Sequence, residues 1–467
     1  MKNQIIHIEK KHIHFVFFLI FSTFSFVSCD EFLEVDPPIG QVESKTVFAN
    51  ENTAIAAVTS LYSNLREETF LTGSFGLSMM LGYYTDEFDY YYFSGEPMEA
   101  FYRHQIIASN KLLSQIWNSP YHLIFMCNSV IEGLENSTHI SEEIKNQLKG
   151  EALFIRALTH FYLVNLFGDI PYITSTDYSE NQNAFRSNQD EVYGQIIEDL
   201  IASKTILSEE YASHDRTRAN RAVASALLAR VYLYTGQWIE AEAESSSIIN
   251  NLFHYVLEPE IQNEFLKNSS STILQLAPSK EGENTKEGNI FLFEFGPPFY
   301  LSLNEEYVQS FDILDLRKHF WIKEIIEGEQ IWYTPYKYKQ SENTGTSMEY
   351  SIAFRLSEQI LIRAEARVHL GDLSGCKNDI NLIRERAGLP HTTATSPNEL
   401  IDAILNERKF EFFAEHGHRW FDLKRLNQAE NILSPIKSNW RSTDILFPIP
   451  ESELLLNPNL TPQNPGY

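Results

Sequence analysis

Two stretches of this chain, offset by about 135 residues, carry the same helix–turn–helix signature, and that repetition constrains the fold more than any other feature. In residues 221–250, Ala222, Ala226, Ala229 and Leu233 place small and apolar side chains at helical spacing, so a neighbouring helix backbone can approach closely. Gly236-Gln237-Trp238 then turns the chain, and Ile239 to Ile249 forms a return helix. In residues 356–389, Ala366-Arg367-Val368-His369-Leu370-Gly371-Asp372 echoes Ala229-Arg230-Val231-Tyr232-Leu233-Tyr234-Thr235-Gly236, with a helix on either side. A lone helix pair cannot bury its own apolar face, so such units must stack. Residues 251–350 separate the two copies, which are therefore not a tandem array.

The pattern resembles a tetratricopeptide repeat, and the rest of the chain supplies more helices to stack. Apolar residues at helical spacing (Ala54, Val58, Leu61, Leu65) predict a first helix over 47–65. Further helices are expected over 112–134, 142–167 and 189–207. The 142–167 segment is apolar almost all round, the mark of a buried helix, with Gly168 ending it and Pro171 preventing its return. Ser396-Pro397-Asn398-Glu399 is a capping box with proline at the first helical position, so the last long helix starts there and runs to about Glu415. Glu407, Glu411 and Glu415 fall four apart beside Arg408, Arg419, Lys424 and Arg425, which reads as a structural ion-pair network rather than an acid/base pair. Strand signals are few, at 272–276 and 289–295. The tail, 447–467, holds five prolines and reads as an extended arm. The fold class is mainly α: helix pairs as scaffold, with long irregular loops and a few short strands.

At the other end, Lys2, Lys10 and Lys11 precede an apolar run of about fifteen residues, Ile13 to Val27, closed by Phe26-Val27-Ser28 and followed by Cys29. A basic start, a short apolar core and a small residue before the cut form a secretory signal, and a cysteine just after it predicts lipid attachment. The run is short of the roughly 20 residues that span hydrocarbon. The expected segments are a signal peptide (1–28), an acidic tether (29–46), an N-terminal helical part (47–250), a loop-rich insert (251–350), and a C-terminal helical part with its tail (351–467). Asp30 to Pro38 carries four carboxylates and ends in two prolines; fully extended it reaches on the order of 30 Å. Loss of the leader, with three Lys and one Glu, takes the formal charge from −26 to about −28. That excess argues against nucleic acid and polyanions as main partners. Cys127 and Cys376 are expected as buried free thiols, since no disulfide or zinc spacing is present.

Residues 70–102 are unlike the rest. Tyr83-Tyr84-Thr85-Asp86-Glu87-Phe88-Asp89-Tyr90-Tyr91-Tyr92-Phe93 fits neither helical nor strand periodicity, and Gly73, Gly76, Gly82, Gly95 and Pro97 mark a loop-rich region. So many adjacent rings imply that several face solvent or a ligand, as a binding platform. Flat rings mixed with carboxylates suit sugars, whose CH faces stack on rings and whose hydroxyls bond to acids. The insert supplies a second wall, with Tyr300, Asp312, Trp321 and Trp332. The candidate ligand residues are Asp86, Asp89, Tyr90, Tyr91, Tyr92, Tyr300, Asp312, Trp321 and Trp332. No zincin, nucleophile-elbow, P-loop or dinucleotide fingerprint appears, so no cofactor or catalytic group is assigned. Asp86 with Glu87 and Asp89, or Asp312 with Asp315, could supply a glycosidase pair if the fold brought them together.

Four ordered motifs carry a family resemblance. They are Arg156-Ala157 through Phe161-Tyr162 to Phe167-Gly168-Asp169-Ile170-Pro171-Tyr172; Arg355 to Ala366 with Asn381-Leu382-Ile383-Arg384-Glu385-Arg386-Ala387-Gly388-Leu389; Glu407-Arg408 through Glu411 to His418-Arg419-Trp420-Phe421-Asp422-Leu423-Lys424-Arg425; and Pro448-Ile449-Pro450 through Asn457-Pro458 to Gln463-Asn464-Pro465-Gly466-Tyr467. With the lipoprotein cysteine, the chain resembles the SusD/RagB family of outer-membrane nutrient-binding lipoproteins of Bacteroidetes. The resemblance implies four tetratricopeptide-like helix pairs. It also implies a surface-exposed protein, lipid-anchored in the outer membrane, that binds an oligosaccharide or polysaccharide without catalysis and delivers it to a SusC-like TonB-dependent transporter. His416-Gly417-His418 falls where the family places a helix end, so it is not taken as a metal pair. The acidic run Asp30, Glu31, Glu34 and Asp36 fits the surface-export signals of such lipoproteins. The alternatives are a peptide ligand, as on the RagB side of the family, a secreted glycoside hydrolase with the same aromatic cleft, or a helical scaffold with no small ligand.

Overall fold

Helices form where the sequence keeps an apolar face at 3.6-residue spacing, and they stack largely in chain order. They are α1 Glu51–Glu67, α2 Leu77–Tyr84, α3 Lys111–Glu135, α4 Glu142–Phe167, α5 Gln189–Ile206, α6 Arg221–Tyr234, α7 Trp238–Ile249, α8 Leu316–Trp321, α9 Leu356–Leu370, α10 Leu373–Arg386, α11 Pro397–Glu411 and α12 His418–Arg425, with shorter turns between. The structure is a computed structural model and describes residues 44–67, 71–72 and 76–467. Cys29, its leader and most of the acidic tether lie outside the described residues. Within Phe48–Tyr467, α1 packs on α3, α3 on α4, α4 on α5, α5 on α6, α6 on α7, α7 on α9, and α9 on both α10 and α11. Side-chain caps set several starts: Asn110 for α3, Asn188 for α5, Asn220 for α6, Asp372 for α10, and the complete Ser396–Glu399 capping box for α11. Among the described residues, no helix is long and apolar enough to cross a membrane.

The two sequence copies meet in space. Strand β2 Thr272–Leu276 pairs antiparallel with β6 Ser351–Arg355, and every residue of both is buried. This neck closes the insert and returns the chain to its point of departure, so α7 of the first copy packs on α9 of the second. Arg230 on α6 donates to Glu358 on α9 at 2.6 and 2.7 Å, with both side chains buried. Trp238 stacks on His369 at 3.8 Å between centroids. The Arg-Ala motif of α4 has a similar structural duty. Arg156 donates to both Asp199 oxygens, at 2.7 and 2.6 Å, and to Asn128, tying α4 to α5 and α3. Cys127 and Cys376 are free and buried.

Four local expectations are corrected. Residues 77–84 are not loop: they form α2, buried on every face, and the run Leu77-Ser78-Met79-Met80-Leu81 needs no polar stripe because no face meets water. The glycine taken as a loop marker, Gly82, is instead a packing residue, since a Cβ there would lie 2.4 Å from the Phe88 ring. The expected strand over 289–295 is absent: residues 289–291 finish a short helix, Lys286–Phe291, started where Thr285 Oγ1 accepts the Gly288 N–H at 2.9 Å, and 292–295 are irregular. The last long helix stops at Glu411; Ala414, His416 and Gly417 all have positive φ and redirect the chain into α12. The tail contains a short helix, Glu451–Leu456, and is anchored by the Asn464 amide, which donates to the carbonyls of Phe167 and Phe447.

The carboxylate row is a buried ion cluster, but its partners are not those nearest in sequence. Glu407 pairs with Arg317 at 2.9 Å and Arg384 at 2.5 Å; Glu411 with Arg355 at 2.5 Å, with Arg317 and with Arg386; and Glu415 with Arg355 at 2.8 Å and Lys337 at 2.5 Å. Glu264 completes it, 3.3 Å from Arg355 and 3.0 Å from Arg386. The sequence neighbours are used elsewhere: Arg408 and Arg425 hold Asp422, and Arg419 holds Asp86. The cluster joins the insert to the C-terminal helices. His416 and His418 are buried beside it, His416 Nε2 lying 2.8 Å from the Ile352 carbonyl oxygen. No group of three or more potential metal ligands occurs among the described residues.

Candidate functional site

Short strands place the aromatic residues. β1 Phe88–Tyr90 pairs antiparallel with β3 Leu301–Leu303, with Phe88 opposite Leu303 and Tyr90 opposite Leu301. The ladder continues one step as the Tyr91 N–H donates to the Tyr300 carbonyl at 2.8 Å. The tyrosine run and the Pro297-Pro298-Phe299-Tyr300 segment therefore lie side by side, although two hundred residues separate them. The Tyr92 ring is 5.1 Å from Tyr300, 5.5 Å from Phe299 and 4.9 Å from Phe93; Phe299 in turn is 4.6 Å from Tyr300 and 5.5 Å from Phe93. Tyr91 is 40%, Phe93 59% and Phe299 55% exposed, and Phe295 nearby in the chain is 76% exposed. Tyr92, Phe93, Phe299 and Tyr300 form a contiguous ring cluster, and with exposed Tyr91 and Phe295 near them in the chain they make a partly exposed aromatic shelf, a feature that a folded chain retains at a binding surface.

At the inner end of the shelf is a cleft. Tyr90 stacks on Tyr102 at 5.8 Å, and Tyr102 lines a cavity of about 320 Å³ with Asp89, Asn304, Glu306, Lys409 and Lys437. Asp89 Oδ1 accepts the Asn304 amide N–H at 3.1 Å. Lys437 Nζ donates to the Tyr83 carbonyl at 2.8 Å and stands 4.1 Å from the Tyr102 centroid; Lys409 donates to Ser310 Oγ at 2.8 Å and faces the Tyr307 ring. Burial lowers Lys437 to about 8, against the pull of Asp89 and Asp86, so its ammonium is still the main form at neutral pH. Each ammonium has three N–H donors and spends one on these contacts, so donors remain for a ligand. Two larger cavities among the described residues, of about 370 and 590 Å³, share no lining residue with the shelf.

Of the nine expected ligand residues, the fold gathers Tyr90, Tyr91, Tyr92, Tyr300 and Asp89 around shelf and cleft. Three others are corrected. Trp321 is fully buried in the ion cluster, its indole N–H donating to the Ile261 carbonyl and its ring facing Lys337, Arg355 and Arg386, so it is closed to ligand. Trp332, on β5 Gln330–Pro335, is 7% exposed and lies beneath the shelf; a Cβ on Gly296 would fall 1.9 Å from its ring, so the pair is a support. Asp312 is exposed but accepts the Leu314 N–H of its own turn at 2.8 Å and does not line the cleft. Asp86 is at the cleft, yet Arg419 grips both its oxygens at 2.8 and 2.7 Å. Burial alone would raise the Asp86 carboxyl, but the Arg419 guanidinium overcomes it and holds it below the usual range. Phe93, Phe299, Tyr102, Asn304, Glu306, Lys409 and Lys437 are not among the expected residues; pairing of β1 with β3 brings Phe93, Phe299, Asn304 and Glu306 together, and Tyr102, Lys409 and Lys437 arrive from other segments.

Glu87 and Asp86 set a raised carboxyl beside a lowered one, which is the signature of a glycosidase acid/base pair. Burial, and then Asp86, push Glu87 up to about 8. It is 2% exposed, bonded to the Ala414 backbone, and absent from the cleft wall, so it cannot reach a substrate. Asp315 is likewise spent on Arg317 and on capping α8. Glu87 has a stability consequence instead. Between about pH 4.5 and 8 the folded state keeps a proton that the unfolded state has lost, so stability falls as pH rises through that window. Glu87→Gln is expected to remove a loss on the order of 2 kcal/mol between pH 6 and 8, read as a flatter pH dependence of urea unfolding relative to wild type.

Comparison with known proteins agrees with this architecture. A family model described as SusD-like, starch-binding and associating with the outer membrane matches residues 31–233, and a SusD family model matches residues 320–467. SusD-like protein P2 of Formosa agariphila is 29% identical over 98% of this chain and 100% of its own length. A SusD superfamily crystal structure from Bacteroides vulgatus superposes with a TM-score of 0.79 at 23% identity, covering 90% of this chain and 99% of that one. A laminarin-binding SusD-like protein superposes with a TM-score of 0.76, also at 23% identity, covering 90% and 100%. The helix stack, the motifs that tie it together and these matches over both halves agree, and the chain belongs to the SusD/RagB family.

Proposed function

We propose that this protein is a non-catalytic nutrient-binding lipoprotein of the outer membrane that holds a glycan on its aromatic shelf and passes it to a SusC-like TonB-dependent transporter. The observation that carries the ligand class is the shelf: exposed Tyr91, Phe93 and Phe299, with half-buried Tyr92 and Tyr300 between them, stand beside a cleft rich in hydrogen-bonding groups. Ring faces bind the CH surfaces of sugars, and amphipathic Tyr adds a hydroxyl for orientation. The family model's outer-membrane description and the laminarin-binding neighbour support the same reading. Cys29 would carry the lipid, and the acidic tether would let the body move while its anchor stays at the surface. The transporter rests on family membership.

Affinity electrophoresis of the full chain through gels containing starch, laminarin, mannan or xylan tests the ligand class. Retardation by at least one glycan, with no binding of a mixed peptide digest in a parallel assay, is the expected result. Peptide binding with no glycan retardation would move the assignment to the RagB side. Co-purification of a TonB-dependent transporter with the tagged lipoprotein, extracted from its own outer membrane, tests delivery.

A further inference from the structure

The cleft at the end of the shelf is lined by charge, yet that charge is balanced. Asp86 is neutralised by the two-point contact with Arg419. That leaves Asp89 and Glu306 against Lys409 and Lys437, two carboxylates facing two ammonium groups. None of these four is paired with another within salt-bridge distance among the described residues, and each side chain makes few contacts of its own: Asp89 with Asn304, Lys409 with Ser310, Lys437 with the Tyr83 carbonyl. The wall therefore offers spare donors and spare acceptors together, with no net charge.

Building on the glycan reading above, we propose that the cleft takes an uncharged sugar unit and discriminates against uronates and sulfate esters. A hydroxyl both donates and accepts, so a neutral sugar can satisfy ammonium and carboxylate together. A carboxylate or sulfate on the ligand would satisfy the lysines but face Asp89 and Glu306, and rejection by an unpaired like charge is how binding sites exclude near relatives. The whole chain adds to this, since a formal charge of −26 repels polyanions at long range. Glu87 does not upset the balance, because at about 8 it is neutral at physiological pH and is turned away from the cleft.

The test is isothermal titration of the full chain with two sets of oligosaccharides, at 50 and 500 mM NaCl. The neutral set is malto-, laminari-, manno- and cello-oligosaccharides; the anionic set is oligoalginate, oligogalacturonate and sulfated carrageenan oligosaccharides. At least one neutral ligand is expected to bind with a Kd that changes less than twofold between the two salt concentrations, and every anionic ligand at least tenfold more weakly. Asp89→Asn leaves an ammonium unbalanced and is expected to improve anionic binding at least threefold. An anionic ligand that binds tightest, or a tenfold loss of affinity in high salt, would overturn this proposal while leaving the glycan reading in place. Binding by neither set would overturn the glycan reading and this proposal together.

Discussion

Arg355→Met is expected to destabilise the protein by about 3–5 kcal/mol, the range for removing one partner from a buried ion pair. Arg355 contacts Glu411, Glu415 and Glu264, all buried, and it donates to the Glu411 carbonyl as well. Methionine fills much of the volume but leaves three carboxylates sharing the remaining cations. The urea midpoint should fall with little change in slope, which separates lost stability from a changed unfolded state. Acid behaviour gives a second readout. Burial alone would raise the Glu411 carboxyl, but the guanidiniums of Arg386, Arg355 and Arg317 overcome it and hold it well below 4.5. A lowered acid contributes stability that is present above about pH 4.5 and lost as pH falls through its folded value. Removing Arg355 raises that folded value, so the variant should lose less further stability than wild type between pH 5 and 3. A Glu411→Gln variant with wild-type stability at pH 7 would show that the cluster does not hold the insert in place.

The second large effect concerns the shelf. Tyr92 touches Phe93, Phe299 and Tyr300, so it is the centre of the exposed cluster. Tyr92→Ala is expected to weaken glycan binding by tenfold to a hundredfold, about 1.4–2.8 kcal/mol, as for central aromatic residues of other binding surfaces. Tyr91→Ala, at the margin, should cost less. The thermal midpoint should stay near wild type for Tyr91→Ala, whose ring is exposed, and fall modestly for Tyr92→Ala, whose half-buried ring packs on three others. Trp321→Phe is the contrasting control: its ring lies in the ion cluster, so it should lower stability and leave the affinity of the folded protein unchanged. Equal affinity for wild type and Tyr92→Ala would place the ligand elsewhere.

How much of this was legible in the sequence depends on whether the controlling interactions were local. The helices of the stack were readable because their periodicity, small-residue faces and caps lie within the segment concerned: Ser396 and Glu399 cap their own helix, and Gly168 ends its own. The aromatic run was half readable. Its composition showed that rings must face outward, but which ones was decided by distant partners. Tyr83 and Tyr84 turned inward on α2, whereas Tyr91 stayed exposed and Tyr92 half-exposed beside Phe299 and Tyr300 after pairing with residues 300–303. Trp321 misled for a related reason. A tryptophan in an irregular insert looks like a platform, but three buried cations surround this one, a fact set by Lys337, Arg355 and Arg386 from three other segments. Lys409 and Lys437 carried no local sign of a cleft at all.

The β2–β6 neck has a consequence for how such a protein can diversify. Because the two strands close the loop of residues 277–350, added length in its exposed parts, away from Arg317 and Lys337 of the ion cluster, enters the folding free energy mainly through the entropy of closing the loop. Doubling that loop costs about 0.6 kcal/mol. The exposed stretch around Phe295 and Phe299 that supplies half of the shelf can therefore be lengthened, shortened or replaced between relatives while α7 and α9 keep their seats. The cost falls on time rather than stability: the stack cannot be completed until residues about a hundred apart have found each other, which slows folding relative to a helical array with only local contacts.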